Sequence, residues 1–215
     1  MYKMILLLVF CFLSGMAGIP HAAMLSSDEP EYPRDSTVQF KAAGSYEQAL
    51  QIWKTPEDIA GWIAANFSYD MARALRLSET QRADKERIAI YDPSEFFETR
   101  TGVCVDLSHF GVETLRRIDS SSDPKYLMIE FDPIQIKGNM LRRHWLAGFK
   151  RDGKTYFFAD SKRPGHIAGP YDNTETFIKE YEQYRGRKIV AYRELDSYQK
   201  RQRTVSPKQQ KPVKP

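Results

Sequence analysis

The 215-residue chain is 41% hydrophobic and 28% charged, long enough for one domain with a substantial core plus appendages. Its formal charge of +4 is unevenly spread: taking away Lys3 and the tail's six basic residues (Lys200, Arg201, Arg203, Lys208, Lys211, Lys214) turns +4 into −3 for the body. No basic stripe remains there, which excludes nucleic acid as a partner.

Lys3 precedes an apolar run over residues 4–12, and small residues follow up to Ala22 and Ala23. That order predicts a signal peptide over 1–23 and export of the remainder. The run is short for a bilayer crossing, which takes about 20 residues. Cys11 is lost with it, so the exported chain keeps one cysteine, Cys104. Exported proteins usually hold cysteines in pairs. An unpaired one is a buried small hydrophobe, an intermolecular bridge or a reactive thiol.

Residues 24–44, with Asp28, Glu29, Pro30, Glu31, Pro33 and Asp35, read as an irregular lead-in to a domain over 45–196. Tyr46, Leu50 and Trp53 share a helical face. Thr55-Pro56-Glu57-Asp58 is a helix start with a capping box, and Ile59, Trp62, Ile63 and Phe67 give its stripe. Residues 69–90 are charged and helix-prone, an exposed arm or paired helix. Asp92-Pro93-Ser94 opens a short helix that ends before Gly102. After Gly102 the apolar positions Val103, Leu107, Phe110, Thr114 and Ile118 predict a longer helix, with Arg116 and Arg117 near its C-terminal end.

Strands are predicted over 126–131, 143–149 and 155–160, the last two joined through Arg151-Asp152-Gly153-Lys154. An amphipathic helix over 172–184, capped by Asp172 and Glu175, and a strand over 189–195 complete the domain. Helices first and antiparallel strands later argue an α+β fold. Residues 197–215 are Pro-, Gln- and Lys-rich, the composition of a solvated tail with at most weak contact to an anionic envelope.

Cys104 falls in the first turn of its helix, where unpaired backbone N–H groups favour thiolate and can stabilise an oxyanion. Gly102 permits a close backbone approach beside it. His144 and Asp160 lie on the predicted hairpin. A two-residue turn at Asp152-Gly153 would set His144 opposite Ser161 and send Asp160 to the other face. A three-residue glycine-bulged loop would instead set His144 opposite Asp160, with Leu146 opposite Phe158. The other face would then hold Trp145, Ala147, Phe149, Phe157 and Ala159. A His–Asp pair therefore predicts the bulge.

The segments Gly102-Val103-Cys104-Val105-Asp106, His144-Trp145 and Ala159-Asp160-Ser161, with the upstream stretch 55–70, resemble the transglutaminase-like superfamily of papain-like cysteine enzymes. The resemblance covers about Thr55 to Asp160. It implies a Cys-bearing helix packed on an antiparallel sheet, with Cys104 as nucleophile, His144 as base and Asp160 as its orienter. Here His and Trp are adjacent, where the family often separates them, so Trp145 points away from the His face as packing. The family's upstream Gln or Trp oxyanion donor has no counterpart in the sequence; Tyr69 and Asn66 read more simply as core and turn residues.

His109 points about 140° away from Cys104 on the shared helix and is a poor base. His166 lies in a Gly/Pro loop, Ser108 lacks a nucleophile elbow, and Asn66-Phe67-Ser68 is a weak glycosylation sequon. No metal-ligand spacing is present, so neither a structural zinc nor a cofactor is expected. These features together predict an exported thiol-dependent amide hydrolase with a peptide or protein amide as substrate. The alternatives are a transglutaminase- or deamidase-type acyl transferase, a non-catalytic module binding a peptide or envelope polymer, and an accessory scaffold recruited by the tail. The sequence is silent on oligomeric state.

Overall fold

The computed structural model describes residues 27–34, 37–82 and 88–198. The expected signal peptide and nearly all of the expected tail lie outside these residues.

Helices α1 (Tyr46–Ile52) and α2 (Pro56–Asn66) begin where the sequence places them. Ser45 accepts from the Gln48 N–H, and Thr55 and Asp58 form the reciprocal capping box. Their apolar faces deliver Trp53 and Trp62 to a ring cluster with Phe96, Phe97 and Phe110. Strand β1 (Ser68–Tyr69) follows. The helix-prone stretch expected as an exposed arm or paired helix holds two short helices, α3 (Met71–Arg76) and α4 (Glu79–Arg82). Asp70 caps the first by accepting from the Arg73 N–H. The arm is not free: Arg73 is drawn inward and is 3% exposed.

Helix α5 (Pro93–Thr99) ends at Arg100 in the left-handed conformation, and β2 (Thr101–Gly102) pairs in parallel with β1, Tyr69 opposite Gly102. Helix α6 (Cys104–Ile118) follows at once. The remaining strands, β3 (Lys125–Ile136), β4 (Asn139–Arg151), β5 (Lys154–Phe158), β6 (Ala168–Tyr171) and β7 (Ile189–Leu195), form one antiparallel sheet in the order β6-β5-β4-β3-β7. Helix α7 (Thr174–Arg185) precedes β7. The α+β expectation stands. Strands β3 and β4 outrun it because they continue to a second hairpin at Lys137-Gly138. β6, with Gly169 and Pro170 inside it, has no alternation to read. The cap of α7 is Asn173, accepting from the Thr176 N–H, while Asp172 pairs with Lys154.

Alternation along the strands makes two cores. Tyr126, Met128, Trp145, Ala147, Phe149 and Phe158 face α6 and the helices behind it. Leu127, Ile129, Phe131, Leu146 and Phe157 face Phe177, Ile178 and Tyr181 of α7. Helix α6 lies close to the sheet because Gly111 has no side chain: a Cβ there would stand 2.9 Å from that of Ala159 and 3.3 Å from that of Ala147.

The β4–β5 hairpin corrects an expectation. Its pairs run from Ala147 opposite Phe158 to Arg151 opposite Lys154, so the turn has two residues and no bulge. Asp152 and Gly153 both take positive φ, 51° and 72°, which suits the tight hairpin turn that matches strand twist. Consequently Phe158 is paired with Ala147 rather than with Leu146. Phe157 belongs to the α7 face rather than standing with Trp145.

The buried ion pair of Arg73 and Asp106 (side chains 3% and 0% exposed) differs in kind from the exposed pair of Arg151 and Glu57 (40% and 52%). Asp106→Ala is expected to cost about 3–5 kcal/mol of unfolding free energy, because it strands a buried guanidinium. Glu57→Ala should cost less than about 1 kcal/mol. Urea unfolding midpoints of the two variants check this order.

Candidate active site

Cys104 is the first residue of α6, and the loop before it is fastened by one carboxylate. Asp106 accepts from the Val103 N–H (3.0 Å), from the Tyr91 N–H (3.1 Å) and from Arg73 Nε and Nη2 (2.8 Å each). Gly102 is required there: a Cβ would meet Phe96 at 2.9 Å and the Asp106 Cβ at 3.0 Å. The β1–β2 pair sets Tyr69 beside the same loop. In the sequence this role of Asp106 is marked only by an acid at the third helical position.

His144 sits on β4 three residues beyond the last pair with β5, Ala147 opposite Phe158. Its side chain is fully buried, and Nε2 lies 3.1 Å from Asp160 Oδ1. The two-residue turn should have turned Asp160 to the other face. Ala159 prevents that: its φ of 55° ends the strand after Phe158 and re-aims the next residue. The His–Asp pair expected from sequence therefore forms, but by a left-handed alanine instead of a bulge. Asp160 also accepts from the Lys162 N–H (2.9 Å) and from the Tyr181 hydroxyl (2.9 Å), which fixes both oxygens.

A second carboxylate was not anticipated. Asp28, from the lead-in, places Oδ1 3.2 Å from His144 Nδ1. Arg185 Nη2 donates to that same oxygen at 2.7 Å and to the Ser27 carbonyl at 3.1 Å, while the Ser161 hydroxyl donates to the Asp28 carbonyl at 2.9 Å. Arg185 Nη1 donates to the Tyr181 hydroxyl at 3.1 Å. The contact is an ion pair of a buried imidazole nitrogen, without a regular hydrogen bond. The donor atoms of Asp28, Cys104 and His144 all lie within 4.8 Å of one another. Neither Asp28 nor the Tyr181–Arg185 pair carried a sequence signal. One lies in an acidic, Pro-rich stretch, and the others read as the face of an amphipathic helix.

Charge follows from this packing. Burial pushes the Cys104 thiol up; His144 and the Trp145 backbone pull it back, and the Asp28 carboxylate adds to the rise. The helix N-terminus alone therefore does not leave a free thiolate. Burial opposes the His144 imidazolium, yet the Tyr181 oxygen and the Asp28 and Asp160 carboxylates outweigh it and hold its pKa well above the ordinary value. Burial would raise both carboxylates, but His144 and Arg185 keep them well below the usual range.

A cleft of about 470 Å³, open to solvent, reaches Cys104 between Tyr69, Trp145, Leu77, Arg142 and Arg143, with Asp28 in its wall. Trp145 packs edge-on against Tyr126 on the α6 side, away from the His144 face as expected. His109 Nδ1 pairs with the Tyr126 hydroxyl at 2.7 Å, Ser108 donates to the Val105 carbonyl, and His166 is exposed in its loop. Asn66 is buried, its amide donating to the Trp62 carbonyl and accepting from Arg100.

A family model described as a transglutaminase-like domain matches residues 44–189, more than half of the chain. No curated protein matches.

In a Cys104→Ala protein, histidine NMR should find His144 protonated well above pH 6.5, and Asp28→Asn or Asp160→Asn should lower that pKa. Stability carries the same sign. A raised histidine contributes fully below its unfolded pKa and loses that as pH rises through its folded value. A lowered carboxylate contributes fully above its unfolded pKa and loses that as pH falls. The thermal midpoint gap between the protein and its Asp160→Asn variant should therefore be widest between about pH 4 and 6.5, bounded by the unfolded pKa values.

Proposed function

Because the chain belongs to the transglutaminase-like domain family, we propose that it is a thiol-dependent amide hydrolase working through an acyl-enzyme on Cys104. The observation that supports this most is one imidazole with Asp160 on Nε2 and the Cys104 sulfur within 4.8 Å of a ring nitrogen, which leaves Nδ1 for the sulfur. A nucleophile and an orienting carboxylate on opposite nitrogens is the arrangement acyl transfer needs. Asp160 is the orienter in this reading. Asp28 stands on the same side as the sulfur and cannot fill that role.

In the reaction, Sγ attacks the carbonyl carbon as the thiolate of an ion pair with the His144 imidazolium, whose Nδ1 holds the proton. The negative charge passes to the carbonyl oxygen, facing the N-terminal N–H groups of α6. Tyr69, which shares the cleft, is our choice for the second donor to that oxygen. Collapse breaks the C–N bond, and Nδ1–H protonates the leaving amine. Water, deprotonated by His144, then attacks the thioester; the acid leaves and the thiol is restored. Hydrolysis is preferred over transfer because water needs no acceptor site. Export, a peptide or protein amide as substrate and weak envelope contact through the tail complete the proposal.

A binding module on the same scaffold is the second reading, and it is favoured by the burial and the Asp28 charge that push the Cys104 thiol up. Alkylation of Cys104 between about pH 4 and 9 separates the two, since thiolate fraction sets the rate and an ordinary thiol titrates near 8.5. Labelling that persists at acidic pH and collapses in His144→Ala supports the enzyme. A plain thiol titration indifferent to His144 favours the binder. With an amide substrate in hand, Tyr69→Phe should lower kcat about 10²-fold with KM little changed, and Cys104→Ala should abolish turnover. An unchanged kcat in Tyr69→Phe would remove that residue from the oxyanion site.

A further inference from the structure

One group in the site has no place in the hydrolytic cycle as drawn: the Asp28 carboxylate. Asp28 is brought in from outside the matched domain and tied down from three sides, by Arg185, Ser161 and the Glu31 N–H donating to the Lys162 carbonyl. Nothing in amide hydrolysis asks for a fixed carboxylate next to the nucleophile; its charge opposes the thiolate.

Asp28, Cys104 and His144 form a donor set of one carboxylate, one thiolate and one imidazole. Donor atoms no more than 4.8 Å apart surround a centre at most ~2.8 Å from each, and Zn²⁺ bonds such atoms at about 2.0–2.3 Å. The closure needed is therefore under ~0.8 Å per ligand. His144 Nδ1, fully buried and without a regular hydrogen bond, faces Asp28 Oδ1 across this space at 3.2 Å. Its opposite nitrogen rests on Asp160, the carboxylate–histidine support that metal-bound histidines use. Thiolate and carboxylate neutralise the dication, and the cleft side leaves the fourth position open. The sulfur selects against Ca²⁺ and Mg²⁺. Linear spacing argues against a structural zinc, but it does not register a site assembled from three distant segments.

We propose that Asp28, Cys104 and His144 bind a Zn²⁺-class ion that switches the site off. This deepens the hydrolase reading and rests on it for the consequence, though not for the binding. Zn²⁺ displaces one proton from the thiol–imidazole pair, to solvent, and occupies both the nucleophile and its base. No redox change is involved. The bound form can neither attack a carbonyl nor be alkylated, and removing the ion restores both.

The full-length protein is titrated with Co²⁺ and, separately, Zn²⁺. The expected result is one equivalent of Co²⁺ giving a thiolate-to-metal charge-transfer band that is absent in Cys104→Ser. One equivalent of Zn²⁺ should block Cys104 alkylation until EDTA is added. Asp160→Asn should weaken affinity about 10–100-fold as an outer-shell loss, and Asp28→Asn at least as much, with partial recovery in Asp28→Glu. Absence of the band, or alkylation unchanged by excess Zn²⁺, overturns the proposal. So does Asp28→Asn binding as tightly as the parent, which would leave an ordinary Cys–His pair. These readouts need no turnover. Loss of the hydrolase reading with the band intact leaves the metal site standing, and a missing band leaves the hydrolase reading untouched.

Discussion

A fully buried imidazole is the constraint on which this site depends. His144 has no solvent to share its charge, so each nitrogen must be answered by the protein. Asp160 answers Nε2. Asp160 is in turn held by Tyr181, and Tyr181 by Arg185, which also holds Asp28. The result is a closed ring in which two carboxylates, Asp160 buried and Asp28 partly exposed, face a buried guanidinium and a buried histidine. Removing any member strands a charge where stranding is expensive. Helix α7, outside the Cys segment and its partners, is therefore part of the site: it supplies both the hydroxyl and the guanidinium that close the ring.

The nucleophile is positioned by a separate device. Asp106 gathers the loops around Tyr91 and Val103 and the inward-turned Arg73 onto the start of α6. Gly102 and Gly111 remove the two Cβ atoms that would hold the helix away from its neighbours. One anchor sets the direction of α6 and the other its depth. Cys104 then meets His144 where β5 has left β4, although the two side chains come from opposite sides of the sheet. The meeting point exists because the ladder stops at Ala147–Phe158 and Ala159 turns away.

Asp28 gives the lead-in a chemical consequence. A segment outside the matched domain contributes the carboxylate nearest the nucleophile, and its anchors lie on the 160–163 loop and α7, not on the Cys helix. It is thus fastened to the base side of the site. A device that adjusts His144 and Cys104 together, without touching the fold beneath, follows from that attachment.

The sequence by itself determined what depends on neighbours along the chain. The capping box at Thr55, the stripe of α6, Cys104 in its first turn and the Asp-Gly turn are local patterns, and the structure keeps them. The family pattern added the order Cys, His, Asp and brought His144 and Asp160 together in expectation. The route by which they meet was not legible, because strand alternation cannot anticipate an alanine at positive φ; only closure against Tyr181 and Lys162 makes that conformation worth its cost. Likewise Arg73 looked like one more charge in a helical arm until Asp106 drew it inside. Asp28 stands 76 positions from Cys104 and 116 from His144, in a stretch whose composition says only that it is irregular. Its place was decided by Arg185 and Ser161, partners that become neighbours only when the sheet and α7 have packed.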